Sequence, residues 1–258
     1  MAENKIITSS EFNEETHSYK TIKARKVVLK KNYKFVKTNI FYLIYSDIFV
    51  GIVVFFIWVY AKIFLASKIV NSKFKKEVSK TGALVVANHV HPLDSFIIVS
   101  SFYPRRLYPL TLKSNFGLPI AGFIQKSCKC IPIPDNITQL KKFDSELITA
   151  LNKKKKILIY PEGSLSIYDR TLRDFKAGAF RYSAVTLSPI LPVVTTFREA
   201  TGIRKLFRKN KPIFTTTYLK PIYPDKELNQ RANILKLYKE TQLAMQEFIN
   251  KYYEKKVH

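Results

Sequence analysis

The sequence predicts an α/β protein: a mixed, largely parallel sheet flanked by helices and preceded by an N-terminal membrane helix or helical hairpin. Three observations carry this reading. From Ala83 onward, short apolar runs alternate with longer amphipathic stretches, as strands and helices do in one layered domain. Ahead of them, Ile40–Ala61 forms a 22-residue run whose only charge is Asp47. With 258 residues, the chain is long enough for one good core and an appendage.

The elements follow in order. Residues 1–37 form a polar arm that turns basic from Lys20 to Lys37. Residues 38–76 are a membrane-attachment segment. As a helix, Ile40–Ala61 is roughly 33 Å long, enough to cross a hydrocarbon core. A buried core helix is the competing reading, but Ile48–Ala61 carries no charge. The run starts too far into the chain, and lacks the small-residue cleavage site, to be a signal peptide. Lysines flank it on both sides, so charge does not orient it, and a segment that dips into one leaflet fits as well as one that spans. Tyr42, Tyr45, Trp58 and Tyr60 suit headgroup-level anchoring.

Residues 77–258 make the α/β domain. Strands are expected at Ala83–Ala87, Arg106–Leu112, Cys130–Ile133, Ile157–Tyr160, Ile190–Thr196 and Pro212–Leu219. Helices are expected at Ser95–Phe102, with Asp94 as N-cap, at Asn136–Asn152 and at Phe175–Leu187. Lys226–Tyr253 closes the chain as an amphipathic helix, with Leu228, Leu235, Tyr238, Leu243, Phe248 and Tyr252 near helical spacing.

Lys and Arg number 44 against 19 Asp and Glu, a net charge of +25 that calls for an anionic neighbour: nucleic acid, an anionic membrane face or anionic substrates. Lysine blocks such as Lys153–Lys156 favour diffuse attraction to phosphate over bidentate base reading. No RNA-recognition signature with paired aromatics and no Gly-x-x-Gly clamp is present, so no nucleic-acid partner is expected. Cys128 and Cys130 point to a reducing compartment, and without further ligands they fall short of a zinc site. His89 and His91 lack the clustered carboxylates a metal site needs, and no metal or cofactor is expected.

Two polar turns carry the chemistry. The first reads Asn88-His89-Val90-His91-Pro92-Leu93-Asp94. Pro92 discourages a regular element, so the chain turns and Asp94 curls back beneath His89. A carboxylate on one ring nitrogen fixes the tautomer and leaves the other nitrogen as a base. No Gly-x-Ser-x-Gly elbow supplies a serine nucleophile, so a substrate hydroxyl attacks directly. Taken singly, His89 is an ordinary loop histidine and Asp94 a helix cap. The second turn, Tyr160-Pro161-Glu162-Gly163-Ser164-Leu165-Ser166, offers hydroxyls and a close backbone approach at Gly163. A helix starting at Phe175 brings Lys176 and Gly178 to an N-terminus suited to an anion.

Asn88-His89-x4-Asp94 followed by Pro161-Glu162-Gly163-Ser164 resembles the glycerolipid acyltransferase family. Lys113-x5-Pro119-x2-Gly122, Phe175-Lys-Ala-Gly-Ala-Phe180, Pro189-Ile-Leu-Pro-Val193 and Lys220-Pro-Ile222 match its further blocks in order, over about residues 80–225. The resemblance implies that residues 77–258 are an acyltransferase catalytic domain. It implies His89 as general base and Asp94 as its orienter, with attack on an acyl thioester carried by acyl carrier protein or coenzyme A as co-substrate. Lys113 would line the acceptor's polar site, Glu162, Gly163 and Ser164 would build its wall, and Lys176 would contribute a cation. Phosphatidate formation from lysophosphatidic acid is the activity implied, at a membrane lipid surface on the cytoplasmic side. Two positions depart from the pattern: Leu165 and Asp135 stand where the family has arginines associated with the acceptor's phosphate. Arg170, Arg173 or Lys176 can substitute, or the acceptor is another lysolipid or a glycolipid. The competing class is a non-catalytic, membrane-associated binder of anionic lipid or RNA, which the intact His89 and Asp94 disfavour.

Overall fold

The computed structural model describes residues 24–63, 67–202, 205–206 and 211–255. Along the chain run α1 (Ile40–Ile63), β1 (Lys68–Val70), α2 (Phe74–Glu77), β2 (Ala83–Ala87), α3 (Asp94–Phe102) and β3 (Leu107–Leu112). A 3-10 turn at Lys113–Gly117 leads to α4 (Pro119–Ser127), β4 (Ile131–Ile133), α5 (Ile137–Asn152) and β5 (Lys156–Ile159). A second 3-10 turn at Ala177–Phe180 leads to α6 (Arg181–Thr186), β6 (Ile190–Arg198), β7 (Ile213–Tyr218) and α7 (Gln230–Glu254). The seven strands form one sheet in the order β1-β7-β6-β2-β5-β3-β4. Every neighbouring pair is parallel except β6–β7. The expected mixed, largely parallel sheet is therefore present.

β2 sits in the middle of the sheet with all five residues buried. Side chains alternate across a strand, and here they divide two cores. Leu84 and Val86 join the core formed with α5, α6 and α7; Ala83, Val85 and Ala87 join the one formed with α3 and α1. An apolar run without polar alternation is what a strand covered on both faces requires. α5 begins where Asn136 accepts a hydrogen bond from the Gln139 N–H at 2.8 Å, and it buries Phe143, Leu147, Ala150 and Leu151 on one stripe. The described part of the basic arm also belongs to this core, since Leu29, Phe35 and Val36 pack into it.

Several expectations differ from the structure. α4 was not expected as a helix: it is short, and of its apolar residues at helical spacing Ile120 and Phe123 lie exposed while Ile124 packs on the core. β1 was not expected either, because three residues become a strand only by pairing with β7. The helix expected at Phe175–Leu187 is divided into the 3-10 turn and α6. In α7 the buried stripe is Asn233, Leu237, Thr241, Met245 and Ile249, whereas Leu235 and Leu243 are exposed. Polar residues hid that stripe. Asn233 is buried because its amide accepts from the Asp225 N–H at 2.8 Å and donates to the carbonyls of Asp225 and Leu228.

This assignment of faces predicts that Leu237→Ala destabilises the domain by about 2–5 kcal/mol, the cost of emptying a core site. Leu243→Ala should stay within about 0.5 kcal/mol, as for exposed positions. Denaturant unfolding of the two variants checks it.

Candidate active site

β2, β3, β5 and β6 run parallel, so the loops after their C-terminal ends open on one edge of the sheet. Ligands in open α/β sheets bind along that edge. β2 pairs directly with β5, Val86 opposite Ile159, which places the His89 turn beside the Glu162 turn. The two turns are joined by backbone: the Ser166 N–H donates to the His89 carbonyl at 3.0 Å and the Tyr168 N–H to the Val90 carbonyl at 2.9 Å. On the other flank, Asn88 bonds both the N–H and the carbonyl of Thr195 in β6.

His89 Nδ1 lies 2.9 Å from Asp94 Oδ2, and Asp94 is 1% exposed against 24% for the histidine. The same carboxylate oxygen accepts from the Val90 and His91 N–H groups at 3.1 and 3.3 Å. Its other oxygen accepts from the Tyr160 hydroxyl at 2.9 Å. Asp94 is thus the first residue of α3 rather than its N-cap, and its side chain turns back into the loop. Tyr160 stacks on the imidazole with ring centroids 4.2 Å apart, and its hydroxyl also meets Ser95 Oγ at 2.9 Å. An ionised Asp94 holds the proton on Nδ1 and leaves Nε2 with the lone pair.

Burial is the largest influence on His89 and pushes its pKa down, but the Asp94 charge and hydrogen bond outweigh it, and the net direction is up. Burial pushes Asp94 up; the His89 partner and the hydrogen bonds of Tyr160 and the His91 N–H reverse this and hold it below the usual carboxylate range. Burial, then the neighbouring carboxylate, keep Tyr160 protonated as a donor.

Glu162 joins the His89 turn directly, its Oε2 accepting the His89 N–H at 3.2 Å. Arg173 closes on the same oxygen through Nη2 at 2.6 Å and reaches Ser164 Oγ through Nη1 at 2.6 Å. Burial raises Glu162 above its ordinary value, while Arg173 pulls the other way. Gly163 has φ +78°, and a Cβ there would come within 2.9 Å of Lys176 Cε. The positive φ is what favours glycine here, since the end of the flexible Lys176 side chain can move aside. Lys176 therefore lies against this turn, although the helix expected to begin beside it is only the 3-10 turn from Ala177.

Lys113 stands apart from this network. It follows β3, two strands from β2, and its ammonium pairs with Asp135. His91 accepts the Leu93 N–H on Nδ1 and packs against Phe214. Among the described residues no group of three or more His, Cys, Asp or Glu can hold a metal. Tyr160 was missed as a functional residue: nothing in a strand-ending tyrosine reveals the stacking that only the β2–β5 pairing creates. Arg173 stood out in the sequence only as one of three nearby cations.

The acyltransferase family model matches residues 69–196. A 1-acyl-sn-glycerol-3-phosphate acyltransferase of Limnanthes douglasii is 27% identical over 186 residues, covering 70% of this chain and 61% of that protein. One of Limnanthes alba is 27% identical over 153 residues, covering 58% and 53%. A probable enzyme of the same name from Mycoplasma pneumoniae is 27% identical over 122 residues, 46% of each chain. The matched stretches thus span from about half to three fifths of these relatives' lengths. The crystal structure of the 1-acyl-sn-glycerophosphate (LPA) acyltransferase PlsC from Thermotoga maritima shares the fold. Its TM-score is 0.54 at 16% identity, over 81% of this chain and 78% of that one.

The electrostatics predict a pH profile in which kcat/KM falls on the acid side as His89 gains a proton, with a midpoint above the ordinary histidine value of about 6.5. In Asp94→Asn the carboxylate's upward pull is lost and burial dominates, so the acid limb should move to lower pH while kcat drops roughly 10⁴-fold, the loss known for triad carboxylates. Tyr160→Phe should shift the limb far less. An Asp94→Asn profile superimposable on the parent would show that the carboxylate does not act on His89.

Proposed function

Since this chain belongs to the glycerolipid acyltransferase family, we propose that it transfers a fatty acyl group from an acyl thioester to a hydroxyl of a lysophospholipid. The reading we put first is lysophosphatidic acid to phosphatidic acid, with acyl carrier protein or coenzyme A as the thiol carrier. The observation that carries it is the His89–Asp94 pair, 2.9 Å apart at the edge where the sheet's loops converge. His89 Nε2 takes the acceptor hydroxyl's proton as its oxygen attacks the thioester carbonyl carbon. The tetrahedral intermediate collapses with cleavage of the C–S bond, and the imidazolium returns the proton to the departing thiolate. Asp94 stabilises the imidazolium between these steps without itself taking the proton. The Glu162–Ser164 turn, Lys176 and Lys113 serve the acceptor side. The net charge of +25 attracts both an anionic bilayer and an anionic thioester carrier.

A second reading, in which the acceptor is another lysolipid or a glycolipid, is favoured by one observation. Leu165 is apolar and Asp135 neutralises Lys113, which lowers the positive charge available to a phosphate monoester.

For attachment, we propose that α1 rests in one leaflet on the cytoplasmic side. Its first half is held by the domain: the Tyr42 hydroxyl donates to the Lys126 carbonyl at 2.7 Å and Tyr45 meets Ser127 at 2.9 Å. Asp47, its single acidic residue, pairs with Arg106 and Lys129. Val53 and Val54 pack against the core, and residues 55–63 continue for about 13 Å as helix. A hydrocarbon core is about 30 Å thick. Phe55, Phe56, Trp58 and Tyr60 are exposed on that stretch, as lipid contact requires.

Incubating the purified protein with acyl-carrier-protein and coenzyme-A thioesters and a panel of lysolipids should give a diacyl product, and His89→Ala should abolish it while folding and membrane binding persist. Full activity of that variant would remove the mechanism. Trp58, the only tryptophan, reports depth: lipids carrying quenchers near the headgroup should quench it more than those at the bilayer centre. Tags at the two ends of the chain should both be cleaved by protease added to the same side. Protection of one tag would mean a span.

A further inference from the structure

We propose that Arg173 is a positioning residue for the base, clamping the Glu162–Ser164 turn that is strapped to the backbone of His89. The inference rests on the reading of His89 as general base. Glu162 is a carboxylate with 1% exposure; its Oε1 is buried without a hydrogen-bond partner among the described residues, and its Oε2 is shared by the His89 N–H and Arg173. Arg173 Nη2 pairs with that carboxylate at 2.6 Å. Its guanidinium takes hold on both sides of Gly163: Nη2 on Glu162 Oε2 and on the Ser164 carbonyl, Nη1 on Ser164 Oγ.

The fork thereby fixes a turn whose central residue sits at φ +78°. The turn in turn holds the histidine by its backbone on both sides of the Cα, through Glu162 on the His89 N–H and the Ser166 N–H on the His89 carbonyl. Asp94 sets the ring, and the clamp sets the backbone from which the ring projects. A planar fork with several fixed donors can bridge a carboxylate, a hydroxyl and a carbonyl at once; an ammonium is a point charge and cannot reproduce that geometry. Small displacements of a reacting group cost roughly 10²-fold in rate, so a loosened turn is read in kcat.

The test compares Arg173→Met, Arg173→Lys and the double variant Arg173→Met/Glu162→Gln with the parent. Arg173→Met should lower kcat by roughly 10²-fold with acceptor KM changed little. It leaves Glu162 buried without its cation, which raises the carboxyl further, so an extra ionisation should enter the pH profile. Arg173→Lys should recover a minority of the rate. The double variant should exceed Arg173→Met in rate and lose the extra ionisation, because a neutral amide still accepts the His89 N–H without needing a counter-charge. Hydrogen exchange at the Ser166 and Tyr168 amides should quicken in Arg173→Met, a readout that needs no activity.

An increase in KM at constant kcat would assign Arg173 to acceptor binding and overturn the clamp. A double variant no better than Arg173→Met, or unchanged exchange, would also overturn it. A parent protein without acyl-transfer activity would sink the base reading instead, and the exchange experiment would still decide the clamp.

Discussion

The carboxylate of Asp94 is the charge on which the site depends. It is almost fully buried, and an unpaired carboxylate in that position would be costly enough to neutralise itself. Five groups prevent this: the imidazole of His89, the hydroxyls of Tyr160 and Ser95, and two backbone N–H groups of the intervening loop. Each is placed by the requirement to satisfy the same two oxygens. The loop must turn so that Val90 and His91 aim their N–H groups inward, and that turn is what brings a histidine and an aspartate five residues apart into contact. The geometry proposed for catalysis and the cost of burying a charge therefore point the same way.

A second buried carboxylate, Glu162, repeats the arrangement on the neighbouring loop with a different solution. Where Asp94 is paired with an imidazole, Glu162 is paired with the planar guanidinium fork of Arg173. The site thus holds two carboxylates whose environments drive them in opposite directions: Asp94 is held below its ordinary range and Glu162 is raised above it by burial. The first suits the support of a forming imidazolium. The second suits a wall whose charge is balanced before any substrate arrives. Both depend on β2 and β5 being neighbours, since that pairing sets the two loops side by side.

Helix α1 shows the same logic away from the site. An aspartate inside an apolar helix is expensive in lipid and cheap when paired at a protein surface. The pairing of Asp47 with Arg106 and Lys129 ties the helix to the start of β3 and to the turn after α4. The apolar face then has one open side, which the exposed Phe55, Phe56 and Trp58 line.

The sequence by itself determined the alternation of strands and helices, the polar turn with its histidine and aspartate, and the second turn with its glycine. These are local properties, written in apolar runs, in Pro92 and in the residue types at each strand end. The apolar run at Ile40–Ala61 was equally plain. Tertiary structure alone decided which strands are neighbours, and with that the meeting of the two turns, the stacking of Tyr160 and the reach of Arg173 across its own loop. It also decided which face of α7 is buried, because Asn233 and Thr241 are polar by type and buried by context. Lys113 was legible as a residue, but its pairing with Asp135 was not: an ion pair between residues twenty-two positions apart exists only once β3 and β4 lie side by side. Local pattern sets what an element can be; the partners that satisfy its charges and hydrogen bonds arrive from distant sequence.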